Sequence, residues 1–339
     1  MFNFFILNNK EDVIIPLAYN SFLYNYYKDG KMGNYQNESF LSDEFVEKLG
    51  EYLENIYNEN IGKTLILDFQ NIGSCNRAFK DYNSKIFLKQ LVFANIKASA
   101  VIKERIEESL KKLNIEAKND YLFFSLDKYR IGYAANINFK TNYEKKIVEI
   151  FRENNVITNN TGESDFLDSS GIYSTAYIHI KRIFYSFHDY LYIIYKLAEK
   201  IADMNIDKID AIISTSKTGG IVASLVGNLL GIKVVHCLGL GPKNIMPIET
   251  INEKLRKGRN YFLVSDFICL GTEIKIINTI MMCSKARLIG GVSIASYIDL
   301  SSKNYIDSVV GKMSTLINII EHGVKYEISG YKFKGEKND

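Results

Sequence analysis

Residues Tyr261–Glu273 read YFLVSDFICLGTE, and the reading of this stretch decides the fold. Tyr261 to Val264 are consecutive apolar or aromatic residues following the breaker Gly258, the pattern of a short buried strand. Ser265 and Asp266 come at its end. A Phe-Ile-Cys-Leu turn follows, and Gly271-Thr272 opens a helix whose apolar period is Ile274, Ile277, Ile280 and Met281. This order suits a sugar phosphate. First-turn N–H groups of a helix have no intrahelical partner and carry partial positive charge, so they can hold a phosphate. Asp266, just before the turn, can accept hydrogen bonds from ribose hydroxyls.

The stretch also resembles the phosphoribosyl pyrophosphate (PRPP) loop of type I phosphoribosyltransferases: a hydrophobic strand, two acids, and a small-residue loop that grips the 5′-phosphate. The resemblance implies a parallel α/β sheet flanked by helices. It assigns Ser265, Asp266, Cys269, Leu270, Gly271, Thr272 and Glu273 to the ribose and 5′-phosphate, with Asp266 also a catalytic candidate. Two positions depart from the pattern. Ser265 replaces the first acid, and a neutral hydroxyl holds a sugar less tightly than a carboxylate. Glu273 stands where a small residue is common; it suits the helix dipole but would repel a phosphate bound nearby.

Working upstream, Ala211–Ser214 reads as a buried strand and Ser214–Gly220 (STSKTGG) as a hydroxyl- and glycine-rich turn. A helix is expected over Ile221–Leu230, ended by Gly231, and a further strand over Ile232–Val235. That order implies neighbouring parallel strands with a right-handed crossover. The GxxxxGK[ST] order of a Walker A loop is absent. In the family this loop binds pyrophosphate, and Ser216, Lys217, Thr218 and Gly219 fit that role: a cation, hydroxyls, and a glycine that lets the backbone come close. Between Cys237 and Lys257 lie Pro242 and Pro247, so a long mobile loop is expected there. The resemblance places a catalytic lysine in it, at Lys243, although the histidine that usually follows is missing.

Phe166–Ile180 (FLDSSGIYSTAYIHI) is similar to the early segment of orotate phosphoribosyltransferases, matching at Ser170, Gly171, Ser174 and Tyr177. Ser170 and Tyr177 thereby become acceptor-side candidates. Ser169 stands in the place of the family's lysine. Downstream, Arg287–Ala295 reads as a strand with Asp299 beyond its end, and Leu300 occupies the place of an expected arginine. Both departures argue against orotate as the acceptor. A helix containing Leu316, Ile317, Ile319 and Ile320, a last strand over Val324–Ile328, and a tail over 333–339 complete this half.

The N-terminal third alternates in the same way. Strands are expected over 2–7, 13–17, Thr64–Phe69 and Leu91–Ala94. A helix capped by Ser42 follows a polar loop from Lys28 to Ser39. Further helices are expected over Arg77–Leu88 and around Ile102–Leu113, with a turn at Asn71–Ser74 and a hairpin of Tyr121–Phe124 with Ile131–Ala134. TLILDFQNIGSCNRAFKDY followed by LVFANI is similar to STAS domains. That resemblance implies a regulatory or interaction module, with Ser74 nearest the family's phosphorylatable serine and Asp68 a structural acid at a strand end. The expected organisation is a STAS-like domain over 1–140, a phosphoribosyltransferase-like domain over 143–332 begun by a helix near Asn142–Glu153 and a polar loop, and the tail.

Composition sets the remaining bounds. The chain has 339 residues, 47% hydrophobic and 24% charged, as expected of a globular protein with real cores. A net charge of +3 gives no strong nucleic-acid signal. The start MFNFFILNNK has no signal-peptide pattern, and no apolar run approaches the roughly 18 residues of a membrane span. Four cysteines without a CxxC pair predict reduced thiols and a cytoplasmic location rather than a zinc site. Abundant Asn, Lys, Ile and Tyr suggest an AT-rich bacterial genome.

Three functional readings follow. The first is an enzyme that transfers phosphoribosyl between PRPP or a nucleoside monophosphate and a nitrogenous base, with pyrophosphate as the other product and Mg²⁺ entering through PRPP or pyrophosphate rather than through a direct protein site. The second is a non-catalytic sensor of nucleotide or PRPP. The third is an interaction protein with no ligand. A homodimer, and a protein partner held through the N-terminal domain, are compatible with the first two.

Overall fold

A computed structural model describes residues 2–8, 12–30, 39–56, 63–75, 90–95, 124–125, 130–131, 139–159, 166–167, 172–174, 176–206, 208–237, 240–241, 244–245, 253–297, 312–319 and 326–328. The chain divides into two compact units, Met1–Tyr143 and Glu144–Asp339.

In the first unit, β1 (Leu7–Asn8), β2 (Asp12–Pro16), β4 (Thr64–Asp68) and β6 (Gln90–Ala94) form a sheet in the order β1-β2-β4-β6. The β2–β4 and β4–β6 pairs are parallel, and β1–β2 is antiparallel. Helix α1 (Leu17–Asp29) follows Pro16 directly, an element with no sequence-based expectation. Its buried Asn20 accepts from Phe5 N and donates to the carbonyls of Phe5 and Pro16, which fixes the helix start against the chain before β1. Strand β3 (Ser39–Leu41) precedes α2 (Asp43–Ile56), which starts as its cap predicts, with Phe45 N donating to Ser42 Oγ at 3.2 Å.

The turn expected at Asn71–Ser74 is shorter than that. Asn71 alone takes positive φ (66°), and β5 (Ile72–Cys75) pairs in parallel with β3, so Ser74 lies in a strand. Asp68 is fully buried at the end of β4. It accepts from Gln70 N at 2.9 Å, from Asn95 Nδ2 at 2.8 Å and from the Tyr143 hydroxyl, as a buried carboxylate must. The expected hairpin exists as the short antiparallel pair β7 (Phe124–Ser125) and β8 (Arg130–Ile131). The helices expected over Arg77–Leu88 and Ile102–Leu113 fall outside the described residues.

Helix α3 (Phe139–Glu153) carries the chain into the second unit, burying Ile147, Ile150 and Phe151. The polar segment after it contains β9 (Ile157–Asn159). Its partner is β12 (Ala176–Ile178), antiparallel, beyond β10 (Phe166–Leu167) and β11 (Ile172–Ser174). A 3₁₀ turn (Ile180–Tyr185) leads to α4 (Phe187–Asp203), whose cap Ser186 accepts from Asp189 N.

The core of this unit is a five-stranded sheet in the order β14-β13-β17-β18-β19, parallel throughout. Its strands are β13 (Ala211–Ser214), β14 (Val234–His236), β17 (Asn260–Ile268), β18 (Arg287–Ser296) and β19 (Lys312–Asn318). The fold is therefore α/β, with helices α4, α5 (Lys217–Leu230) and α6 (Thr272–Cys283) packed on the sheet. Both faces are covered, which is why β13 and the first half of β17 read as unbroken apolar runs. Ile213 and Leu263 share one buried cluster with Ile274, Ile277 and Met281 of α6. The short pair β15 (Leu240–Gly241) and β16 (Asn244–Ile245) lies within the segment expected to be a long loop, and β20 (Tyr326–Ile328) returns to pair with β11.

Three expectations are corrected in this unit. The Phe267–Leu270 turn is shorter, because β17 runs on to Ile268: Ser265, Phe267 and Ile268 pair with Ser293, Ala295 and Ser296 of β18. Helix α5 starts at Lys217 rather than Ile221, because Ser216 acts as its N-cap. The helix expected around Leu316–Ile320 is instead strand β19, paired with β18 from Gly290↔Lys312 to Ser296↔Asn318. There the alternation of Met313, Thr315, Ile317 and Ile319 outweighs the weaker helical spacing.

The crossover from α5 to β14 is tight at Gly227. A Cβ there would sit 2.4 Å from Val234 Cγ2 and 2.8 Å from the Ile232 carbonyl. Gly227→Ala is expected to destabilise the protein by about 1–3 kcal/mol in urea unfolding despite alanine's better helix propensity. An unchanged midpoint would show that β14 yields without cost.

Candidate functional site

Because β13 and β17 are parallel neighbours, the chain leaves both at the same edge of the sheet. Helices α5 and α6 begin there, and two side-chain bonds join the segments. Ser216 Oγ donates to Asp266 Oδ1 at 2.7 Å, and Thr215 Oγ1 donates to Glu273 Oε2 at 2.6 Å. Ser216 Oγ also accepts from Gly219 N at 2.9 Å, so one hydroxyl caps α5 and engages the carboxylate of the next strand. Gly219 is needed for this approach, since a Cβ would stand 2.7 Å from Ser216 Oγ and 3.2 Å from Asp266 Oδ1. Gly271 precedes α6 in the left-handed region at φ 70°, without a side-chain cap.

The end of β14 closes one side. Ser214 Oγ lies 2.9 Å from His236 Nδ1, the other ring nitrogen lies 3.4 Å from Ser224 Oγ, and Lys254 Nζ donates to the His236 carbonyl at 2.9 Å. The next residue, Cys237, is buried, and burial pushes its thiol up to about 11. On the other side, the Tyr297 hydroxyl donates to the Ala176 carbonyl at 3.2 Å, tying β12 to the end of β18. The Tyr297 ring meets Phe267 edge-on at 5.0 Å, next to Asp266.

Burial raises the pKa of Asp266 above its ordinary value. The Ser216 hydroxyl, the backbone N–H groups of Asp266 and Phe267, and the charge of Lys181 all oppose that rise. The net upward direction means that the polar partners only partly offset desolvation. His179, on the chain leaving β12, is shifted down, first by burial and then by the nearby Arg182.

Of the residues nominated from sequence, the structure brings Ser216, Gly219, Asp266 and Glu273 into one cluster. Thr218 is buried in the first turn of α5 and Lys217 is exposed there. Ser265 is buried and donates its hydroxyl to the Phe267 carbonyl at 3.2 Å. Cys269 is buried, Leu270 half-buried and Thr272 exposed at the start of α6. Tyr177 is exposed on β12, its ring 4.2 Å from His179. Ser169, Ser170, Gly171, Lys243, Asp299 and Leu300 lie outside the described residues. Among the described residues, no group of three or more His, Cys, Asp or Glu is placed to hold a metal ion. No helix among them is long and apolar enough to cross a membrane.

Sequence reasoning passed over Thr215, Lys181, His236 and Tyr297. Thr215 stood inside the quoted STSKTGG run, and only the unexpected carboxylate at Glu273 hinted at a partner for it. His236 becomes a neighbour of Ser214 through strand pairing, which the β-loop-α-β order already implied. Lys181 and Tyr297 carry no local signal.

Several solved structures are similar in fold. An orotate phosphoribosyltransferase from Aeropyrum pernix is 15% identical, with 52% of this chain and 97% of that one aligned at a TM-score of 0.40. The adenine phosphoribosyltransferase of Saccharomyces cerevisiae, solved with an imino-altritol bisphosphate and adenine, is 15% identical over 52% of this chain and 99% of its own, at a TM-score of 0.38. That of Trypanosoma brucei, solved with AMP, pyrophosphate and ribose-5-phosphate, is 10% identical over 55% and 83%, at 0.37. All three are phosphoribosyltransferases. No protein-family model matches the sequence, and no curated protein matches it.

The raised pKa of Asp266 has a measurable sign. Stability linked to this group is fully present below the ordinary value of 3.8 and is lost as pH rises through the elevated folded-state value. Asp266→Asn is therefore expected to resist urea better than the parent protein at neutral pH, with the gap narrowing on acidification toward 3.8. A gap that widens on acidification would contradict burial as the dominant cause.

Proposed function

We propose that the C-terminal unit binds a phosphoribosyl ligand, PRPP or a nucleoside monophosphate, and transfers the phosphoribosyl group between pyrophosphate and a nitrogenous base. The observation that carries this reading is the convergence of Ser216, Gly219 and Asp266 at one strand edge, between the starts of two helices. Ligands of open α/β sheets bind outside the carboxyl ends of the strands. Supporting it is the order of the motifs: a hydroxyl- and glycine-rich segment, then an acid-bearing strand, then a Gly-Thr helix start.

In this reading Asp266 accepts hydrogen bonds from the ribose hydroxyls. Its present donor, Ser216, turns toward the pyrophosphate together with Lys217, Thr218 and the amide of Gly219. Cys269, Leu270, Gly271 and Thr272 surround the 5′-phosphate, while Tyr177 and Ser170 are assigned to the acceptor base. Lys217 and Lys243 add positive charge where pyrophosphate departs. The bond from C1 to the pyrophosphate oxygen breaks and pyrophosphate leaves with the electron pair. The base nitrogen then bonds to C1 through its electron pair, quenching the cationic character of the sugar, and the proton that nitrogen carried leaves with pyrophosphate. No covalent protein intermediate is needed, so positioning and exclusion of water account for the protein's part. Mg²⁺ would enter with PRPP or pyrophosphate, held by phosphate oxygens and not by a direct protein site. Mg²⁺, when bound, would offset the charge of the departing group.

The N-terminal unit serves in this proposal as a STAS-like regulatory module, docking a protein partner, for a cytoplasmic, homodimeric bacterial protein. A second reading, a nucleotide or PRPP sensor without turnover, is favoured by a specific observation. The residue beside Asp266 on the strand is Ser265, which supplies no second carboxylate and donates its hydroxyl to the Phe267 carbonyl.

The test is PRPP consumption with release of pyrophosphate over a panel of purine and pyrimidine bases, alongside calorimetric titration of PRPP. Asp266→Ala is expected to abolish PRPP binding; undiminished affinity would sink the site assignment. Ser265→Asp, which puts a carboxylate at a buried position, is expected to lower stability in urea without tightening PRPP binding; tighter binding would show that the site is an attenuated form of the two-acid pattern. Binding without turnover by any base would decide for the sensor.

A further inference from the structure

The opposite edge of the large sheet, where its parallel strands begin, is lined by cations. In sheet order, the residue at or just before each strand start is Lys233 (β14), Asp210 (β13), Arg259 (β17), Arg287 (β18) and Lys312 (β19). Neighbouring strands stand about 4.8 Å apart, so the row is about 19 Å long. The connections into β17 and β18 add Arg256, Lys257 and Lys285. Backbone bonds hold these two connections side by side, Gly258 N donating to the Lys285 carbonyl at 2.8 Å and Arg287 N to the Arg259 carbonyl at 3.0 Å.

Asp210 answers only part of this charge. It accepts from Arg259 Nη1 and from the Asn260 amide, both at 2.9 Å, with Lys208 Nζ at 3.5 Å. Lys233, Arg256, Lys257, Lys285 and Arg287 are exposed, and among the described residues no carboxylate pairs with any of them. Like charges set this closely repel one another, since the screening length at physiological salt is about 8 Å, and an anion laid along the row relieves that repulsion. The net charge of +3 conceals the segregation because it sums over the whole chain.

We propose that the amino edge of the large sheet is an interaction surface for the phosphate backbone of duplex nucleic acid, recognised by charge and not by base. One strand of a duplex carries a phosphate about every 3.4 Å of axis, so a row of about 19 Å faces roughly five or six of them. Single strands are held by bases stacking on aromatic side chains, and none of the described residues of these connections is an exposed aromatic. A lipid surface is the poorer match for the same reason, since no aromatic accompanies the cations to enter the headgroup layer. The surface lies at the far edge of the sheet from Asp266 and does not depend on the phosphoribosyl reading.

Fluorescence anisotropy of the full chain with labelled duplexes of about 20 base pairs, one of DNA and one of RNA, tests it at about 50 mM salt. The parent protein is expected to bind at least one duplex in the micromolar range or tighter, with affinity falling steeply as salt rises. The tighter duplex identifies the source of the backbone. The triple variant Lys257→Gln, Lys285→Gln, Arg287→Gln is expected to bind about tenfold more weakly or worse, with a log–log salt slope flatter by about 2–3. A control that removes the same charge elsewhere, Lys28→Gln, Lys48→Gln, Lys145→Gln, is expected to bind as the parent does. If the triple variant does not melt cooperatively, Lys257→Gln and Arg287→Gln are read singly, each flattening the slope by about 1. No binding of either duplex overturns the proposal. So does an unchanged affinity and slope in the patch variants, or an equal loss in the control. A single strand bound as tightly as the duplex, or phosphatidylserine-rich vesicles bound in place of both duplexes, assigns the surface to another partner and overturns it as well.

Discussion

Parallel pairing is the constraint on which the C-terminal unit depends. Five strands that all run one way must release the chain at one edge, and every strand must be followed by a crossing that returns it to the other. The sequence between Ala211 and Arg287 satisfies this three times, through Ser214–Val234, His236–Asn260 and Ile268–Arg287. The chemistry-bearing segments Thr215–Gly219 and Asp266–Glu273 meet because of strand order and not because either seeks the other. The apolar runs supply the driving force, since a sheet covered on both faces removes both sides of each central strand from water.

At that edge the polar side chains answer a narrower problem. Two carboxylates stand close to buried backbone, where a charge without partners is costly. Each is met by one hydroxyl of a two-residue turn, Asp266 by Ser216 and Glu273 by Thr215. The same Ser216 oxygen caps α5, so the helix start and the acid of the neighbouring strand share one group. Glycine at 219 is what allows the distance. The arrangement links the two candidate loops by hydroxyl–carboxylate bonds as well as by the close approach at Gly219.

Much of this was legible in the sequence. Buried parallel strands announce themselves as apolar runs, Gly231 ends its helix as expected at φ 66°, and the apolar period of α6 places Ile274, Ile277, Ile280 and Met281 in the core. Element ends were less legible. A strand continues for as long as its neighbour offers partners, and only the register with β18 shows that Phe267 and Ile268 remain in the ladder. Strand β19 was misread because an edge position needs only one partner, and a short run with Leu316 and Ile317 together fits either period. Within the candidate site, residue types pointed to a sugar-phosphate edge, whereas the pairing of Glu273 with Thr215 could not be read from spacing. It spans 58 residues and depends on the order of strands in space.

The bond from Tyr297 to the Ala176 carbonyl reaches across 121 residues, and β11 pairs with β20 over a longer separation still. Chain closure over such distances adds little to the free energy of the finished fold, since each doubling of a loop costs only about 0.6 kcal/mol. It weighs far more on the search, because contacts distant in sequence form slowly. In the small sheet the β10–β11 pair is local in sequence, whereas β20 reaches β11 only from the far end of the chain.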